Sequence, residues 1–173
     1  MNKFSISLAL MGLTSLGFAQ DSYFNSHYSQ LENLEVMGSN YEFIEDVQND
    51  LTPTQVKYLE NLVCYWDVTK LEEFKGNKEQ PTEVTYRSWH GYIIASYDRE
   101  GKILTAKEHF KDFTLPQKVS VSIAIKYPEW TRLKTRYSLV YNRNLGTKKL
   151  FKVQIEKDGQ KKWLKIDASG RVI

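Results

Sequence analysis

The stretch TLPQKVSVSIAIKYPEW, Thr114 to Trp130, admits two readings, and the choice between them decides the fold. Val119, Val121, Ile123, Ile125 and Tyr127 alternate with polar or small residues, the period of a half-buried strand. The ends favour a helix. Pro116 stands where a first helical turn tolerates proline, and Pro128 disfavours helical geometry at Tyr127. As a helix the segment would bury Val119, Ile123 and Tyr127 and stop before Pro128.

An earlier stretch tips the choice. TPTQVKYLENLVCYW, Thr52 to Trp66, carries Val56, Leu59 and Val63 at helical spacing, with Tyr58 and Leu62 beside them. Thr52, Pro53 and Gln55 suit an N-cap, a first-turn proline and the reciprocal partner of a capping box. Candidate strands follow both stretches: VTYRSW, YIIASY and KILTAKE after the first, TRLKTRYSLVY, LFKVQIE and KWLKID after the second. Pro53 matches Pro116, Val56 matches Val119, Asp98 matches Asp167 and Gly101 matches Gly170, an offset of 63 to 69 residues. The repeat makes residues 114–127 helical. YDREGKIL and IDASGRVI close matching parts of the two copies, and Asp-x-x-Gly suits a tight turn in which Asp bonds the local backbone and Gly takes positive φ.

The expected fold is therefore α+β. Two tandem helix-plus-antiparallel-strand units, 51–112 and 113–173, form one antiparallel sheet with helices on one face and the other face open. Ahead of them, residues 1–19 have one early base and then an uncharged apolar run ending Gly17-Phe18-Ala19, the pattern of an export signal. The expected location is periplasmic or secreted. Residues 20–50 form an acidic, tyrosine-rich leader in which LENLEVM and YEFIEDV suit short strands.

The pattern Leu115-Pro116…Val119…Ile123…Tyr127-Pro128, followed by strands and a closing Asp-x-x-Gly-x-Val/Ile, resembles the PepSY-like exported proteins, which are grouped with β-lactamase-inhibitor-like folds. The likeness covers about residues 51–173 and is best in the second unit; the first lacks the Tyr-Pro. It implies a non-catalytic binding or inhibitory module, with motif residues that are structural and no family site to carry over.

Charge is unevenly distributed. Residues 21–110 hold 8 bases and 16 acids, a net −8, whereas residues 111–173 hold 15 and 5, a net +10. The halves either attract each other or reserve a basic face for an anionic partner. Cys64, the single cysteine, sits among apolar neighbours and reads as a small buried hydrophobe.

Catalytic chemistries find no motif. His27, His90 and His109 lack metal-ligand spacing, and neither HExxH nor CxxC occurs. GxSxG, GxGxxG and a phosphate-binding loop are likewise missing. No enzymatic activity and no cofactor are expected. What remains is surface. Alternation along the strands puts Leu133, Tyr137, Leu139 and Tyr141 inward and Arg132, Lys134 and Arg136 outward. It likewise sends Lys152 and Gln154 outward, with Lys161, Trp163 and Lys165. The first unit offers Trp89, Tyr92 and Ile94 on the same side. Trp89, Tyr92, Ile94 and Trp163 are the candidate apolar anchors, and Arg132, Lys134, Arg136, Lys152 and Lys165 the candidate steering charges. The expected partner is an exported protein or an anionic envelope component. A self-assembling envelope protein and a small-ligand carrier are alternatives, and an exported address argues against nucleic acid.

Overall fold

The computed structural model describes residues 40–76 and 81–173. The export-signal reading and the LENLEVM strand lie outside the described residues. Among the described residues no helix is long and apolar enough to cross a membrane.

Helix α1 spans Tyr41–Val47 and helix α2 Thr54–Tyr65. A 3-10 turn at Val68–Lys70 and the short α3 at Glu72–Gly76 follow. Strands β1 (Thr82–Arg87), β2 (Gly91–Tyr97) and β3 (Ile103–Lys111) come next, then α4 (Gln117–Lys126), then β4 (Thr131–Asn142), β5 (Gly146–Lys157) and β6 (Gln160–Ile166). The strands form one open six-stranded sheet, antiparallel throughout and ordered β1-β2-β3-β4-β5-β6. This is an α+β architecture with helices on one sheet face.

YEFIEDV is helical, which overturns its reading as a strand. Phe43 and Val47 lie one turn apart and are both buried, and Phe43 meets Tyr141 edge-on with ring centroids 5.2 Å apart. Asn40 fastens the helix entry to the sheet: its side chain donates to Gly101 O and accepts from Ile103 N. Residues assigned to a leader thus contribute to the core.

Helix α2 buries Val56, Leu59, Glu60, Val63 and Cys64. The capping box does not form. Pro53, in extended geometry, is the N-cap, and no side chain caps the helix. The Thr52 hydroxyl is engaged elsewhere, accepting from Asn49 N at 3.0 Å and from Lys149 Nζ at 3.1 Å.

The segment that admitted two readings is a helix. Its neighbours leave no gap for a strand, because β3 pairs directly with β4 from Thr105↔Asn142 to Lys111↔Arg136. Helix α4 buries Val119 and Ile123 and leaves Val121 48% and Ile125 77% exposed. Tyr127 caps its C-terminus half-buried, and Lys162 Nζ sits 4.0 Å from the Tyr127 ring centre and 4.1 Å from that of Trp130.

The two Asp-x-x-Gly turns have one hydrogen-bond plan. Asp98 Oδ1 accepts from Glu100 N and Lys102 N, and Asp167 Oδ1 accepts from Ser169 N and Arg171 N. Gly101 and Gly170 adopt φ of +76° and +84°, where a Cβ would be strained. The first turn joins β2 to β3. The second leads only to an isolated bridge, Ile166↔Val172, and not to a further full strand.

Candidate binding face

In an antiparallel sheet, residues directly opposite one another share a face. The register therefore sorts the outward side chains into rungs. One rung runs Lys111–Arg136–Lys152–Lys165 across β3, β4, β5 and β6. Three interstrand steps of about 4.8 Å make it about 14 Å long. On one side lies Lys134–Gln154–Trp163, and on the other Arg87–Tyr92–His109–Ser138–Leu150. A further rung holds Ile94, Lys107, Val140 and Lys148.

Among the described residues, no carboxylate forms an ion pair with Lys111, Lys134, Arg136, Lys152 or Lys165. Like charges directly opposite each other destabilise a sheet. This rung keeps four of them side by side. Aromatic rings temper the charge. The Arg136 guanidinium lies 4.9 Å from the Trp163 ring centre, Arg87 lies 5.6 Å from that of Tyr92, and the Tyr92 and His109 rings are 5.4 Å apart. The stacking leaves Trp163 41% exposed on the open face. A depression of about 540 Å³ opens in this face, lined by His90, Tyr92, His109, Lys111, Arg136, Ser138, Leu150 and Lys152 among others.

The face holds Tyr92, Ile94, Lys134, Arg136, Lys152, Trp163 and Lys165 together. Trp89 sits apart, in the turn between β1 and β2, and is 98% exposed. Arg132 departs from its expected side. A bulge between Arg132 and Lys134 lets Arg132 pair with Ile155 on the helix-bearing face, and Leu133, expected inward, is 41% exposed. A bulge adds one residue to one strand and shifts the alternation beyond it. Lys111, His109 and Ser138 were missed. Their alternation was readable, but their place beside Arg136 comes from the β3/β4 register.

Behind the sheet lies a second polar cluster. Glu108 shares an inner rung with Ile93, Leu139 and Lys149, and Glu60 on α2 faces it. Both glutamates have no solvent exposure. A side-chain hydrogen bond joins the two carboxyls, so one of them holds a proton, and the Gln48 side chain also hydrogen-bonds Glu60. Burial, then the adjacent Glu60 charge, pushes Glu108 well above the carboxylate range, so Glu108 holds that proton. Burial also lifts Glu60, to about 7, while the hydrogen bond with Glu108 and the Lys149 charge hold it back. Lys149 Nζ donates to Val47 O at 2.7 Å and to Thr52 Oγ1 at 3.1 Å, and burial lowers its pKa against the pull of both glutamates. The two carboxyls are sealed from solvent, whereas Lys149 is partly exposed. Among the described residues no three His, Cys, Asp or Glu side chains gather as metal ligands.

Comparison with protein-family models, with curated proteins and with solved structures yielded no match.

Proposed function

We propose that this chain is a non-enzymatic exported binding module that inhibits or escorts another exported protein through its open basic and aromatic sheet face. The observation that carries the reading is the Lys111–Arg136–Lys152–Lys165 rung, which has no acidic partner among the described residues. An acidic surface laid on that rung relieves its repulsion, and Tyr92 and Trp163 supply apolar contact beside it. Complementary charge of this kind mainly speeds encounter and selects the partner. The export assignment rests on the residue 1–19 pattern alone. The PepSY-like relationship and the tandem-repeat origin rest on the sequence correspondences. The repeat reading is supported by two sets of three strands, each preceded by a helix that buries a matching valine (Val56 and Val119), although the first set has further short helical elements before it, and by the shared Asp98 and Asp167 turn geometry.

The test is capture of exported proteins from native extracts by the wild-type chain and by a Lys134→Glu/Arg136→Glu variant. Loss of the captured partner in the variant is expected; undiminished capture refutes the reading. A second reading, self-assembly, is favoured by the exposed Glu42, Glu45 and Asp46 on α1, which suit the basic face of another copy. It predicts oligomers in light scattering at low salt that dissociate as salt rises, and a monomer at low salt rules it out.

A further inference from the structure

Within the basic face, the depression has features that a flat charged surface lacks. Lys111, Arg136 and Lys152 reach it from three adjacent strands on one rung. Ser138 and His109, opposite each other on the next rung, bring a hydroxyl and an imidazole to the same space. Its volume, about 540 Å³, falls among small-molecule sites, which run about 300–1,000 Å³. Arg136 stacks on Trp163, which holds the guanidinium plane, and forms no ion pair among the described residues. Such a preoriented fork matches an oxyanion at two oxygens. Tyr92 and Leu150, on the rung next to the three cations, give the depression apolar wall.

We infer that this depression is a binding site for a phosphate monoester, with Lys111, Arg136 and Lys152 around the phosphate and Tyr92 and Leu150 against its organic group. A dianion answers three converging cations better than a carboxylate does, since it brings more charge and three acceptor oxygens. The inference deepens the proposed function, resting on the same reading of the open face as a binding surface, and names what the face recognises. A free phosphate ester and one on a partner's surface present the same chemistry, and a lipid headgroup is distinguished below.

The experiment titrates the full chain with inorganic phosphate and with phenyl phosphate at constant ionic strength set by chloride. Amide shifts are followed by NMR and affinity by calorimetry. Saturable shifts centred on His109, Lys111, Ser138 and Lys152 are expected. Phenyl phosphate should bind about tenfold more tightly than phosphate, the return on partly burying its ring. A Lys111→Gln/Lys152→Gln variant with unchanged amide dispersion should lose at least about tenfold in affinity, the scale of a charge-assisted contact. Lys148→Gln, on the same face but outside the depression, should stay within about twofold of wild type. Equal losses in the two variants, or shifts spread evenly over the face, overturn the site and leave only a general positive field. Vesicles of phosphatidylcholine carrying phosphatidic acid, whose headgroup is itself a phosphate monoester, settle the source. Vesicle binding displaced by phenyl phosphate supports the site with a lipid headgroup as ligand. No vesicle binding alongside phenyl phosphate binding supports it with a soluble ester. Vesicle binding that phenyl phosphate fails to displace overturns it. The two proposals fail separately: loss of partner capture in the Lys134→Glu/Arg136→Glu variant without any phosphate binding refutes only the site. Phosphate binding with undiminished capture refutes only the protein-binding reading.

Discussion

Replacing Glu60 by Gln should change how stability depends on pH, and the size of the change follows from the buried pair. An unfolded chain releases the Glu60 proton near its ordinary 4.5, while the folded chain holds it to about 7. Below pH 4.5 both states are protonated and the group contributes nothing. Between those values the folded state keeps a proton that the unfolded state has lost, so stability falls as pH rises. Above 7 the loss levels off at about 3 kcal/mol, since each tenfold change in proton affinity is worth about 1.4 kcal/mol. Between pH 5 and 8 the wild type should lose about 2 to 3 kcal/mol through this one carboxyl, a large share of a typical domain's stability. Glu60→Gln cannot ionise and should lack that component. Glu108→Gln should keep it, because a glutamine amide still donates a hydrogen bond to Glu60, but should lose the separate fall that the raised Glu108 pKa gives both wild type and Glu60→Gln. The other groups facing the pair, Lys57, Lys149 and Tyr137, are present in all three proteins. Urea unfolding followed by far-UV circular dichroism, at half-unit steps from pH 5 to 8, gives the three profiles. If Glu60→Gln and wild type run parallel within about 0.5 kcal/mol, Glu60 does not titrate in that window and the account of the buried pair is wrong.

Two further outcomes rest on local geometry. Gly91→Ala should cost about 3 kcal/mol by urea unfolding, within the range for forced overpacking. An added Cβ there would lie 2.0 Å from His109 O and would force β2 away from β3, so wild-type stability in this variant refutes the pairing. Asp98→Ala should cost about 1 to 3 kcal/mol at pH 7, because it removes bonds to Glu100 N and Lys102 N and the 2.9 Å contact with Arg143. Partial burial raises the Asp98 pKa, but the Lys102 and Glu100 amides and Arg143 outweigh it and hold the carboxyl below its ordinary 3.8. The stability it provides is thus complete above that value and fades as pH falls through the lower folded value, so the variant should lose less stability than wild type on acidification from pH 4. An equal acid loss in both proteins would disprove the role of this turn.

Strands were the most legible part of the chain, because alternation and turn residues agree along β1 to β6. Helix α4 was legible only through its prolines and the earlier parallel segment, since its own period says strand. Two errors have clear causes. YEFIEDV is too short for its period to separate helix from strand, and only the Phe43–Val47 spacing hinted at a helix. The bulge at Leu133 depends on how β4 pairs with β5, which one strand alone does not reveal. The buried pair had a readable signal that was passed over. Glu108 keeps phase with Ala106 and Phe110, Glu60 sits within the Val56–Leu59–Val63 stripe, and Lys149 keeps phase with Phe151. Charges at core positions announced a polar cluster. The cationic face was legible strand by strand, but its assembly into one rung, with Lys111 as a member, required the register.

Helix α4 also has a consequence for the chain once it loses its sheet. Val119 to Ile125 is seven residues without a charge or a proline, β-branched at every second position, and it is helical while Val119 and Ile123 are buried in the core. Released by heat, it has the composition from which stacked intermolecular strands grow. Lys118 and Lys126 bracket it, with Pro116 and Pro128 just beyond, as gatekeepers that slow such stacking. Fibril growth on prolonged heating should therefore begin in this helix, and neutralising the two bracketing lysines should hasten it.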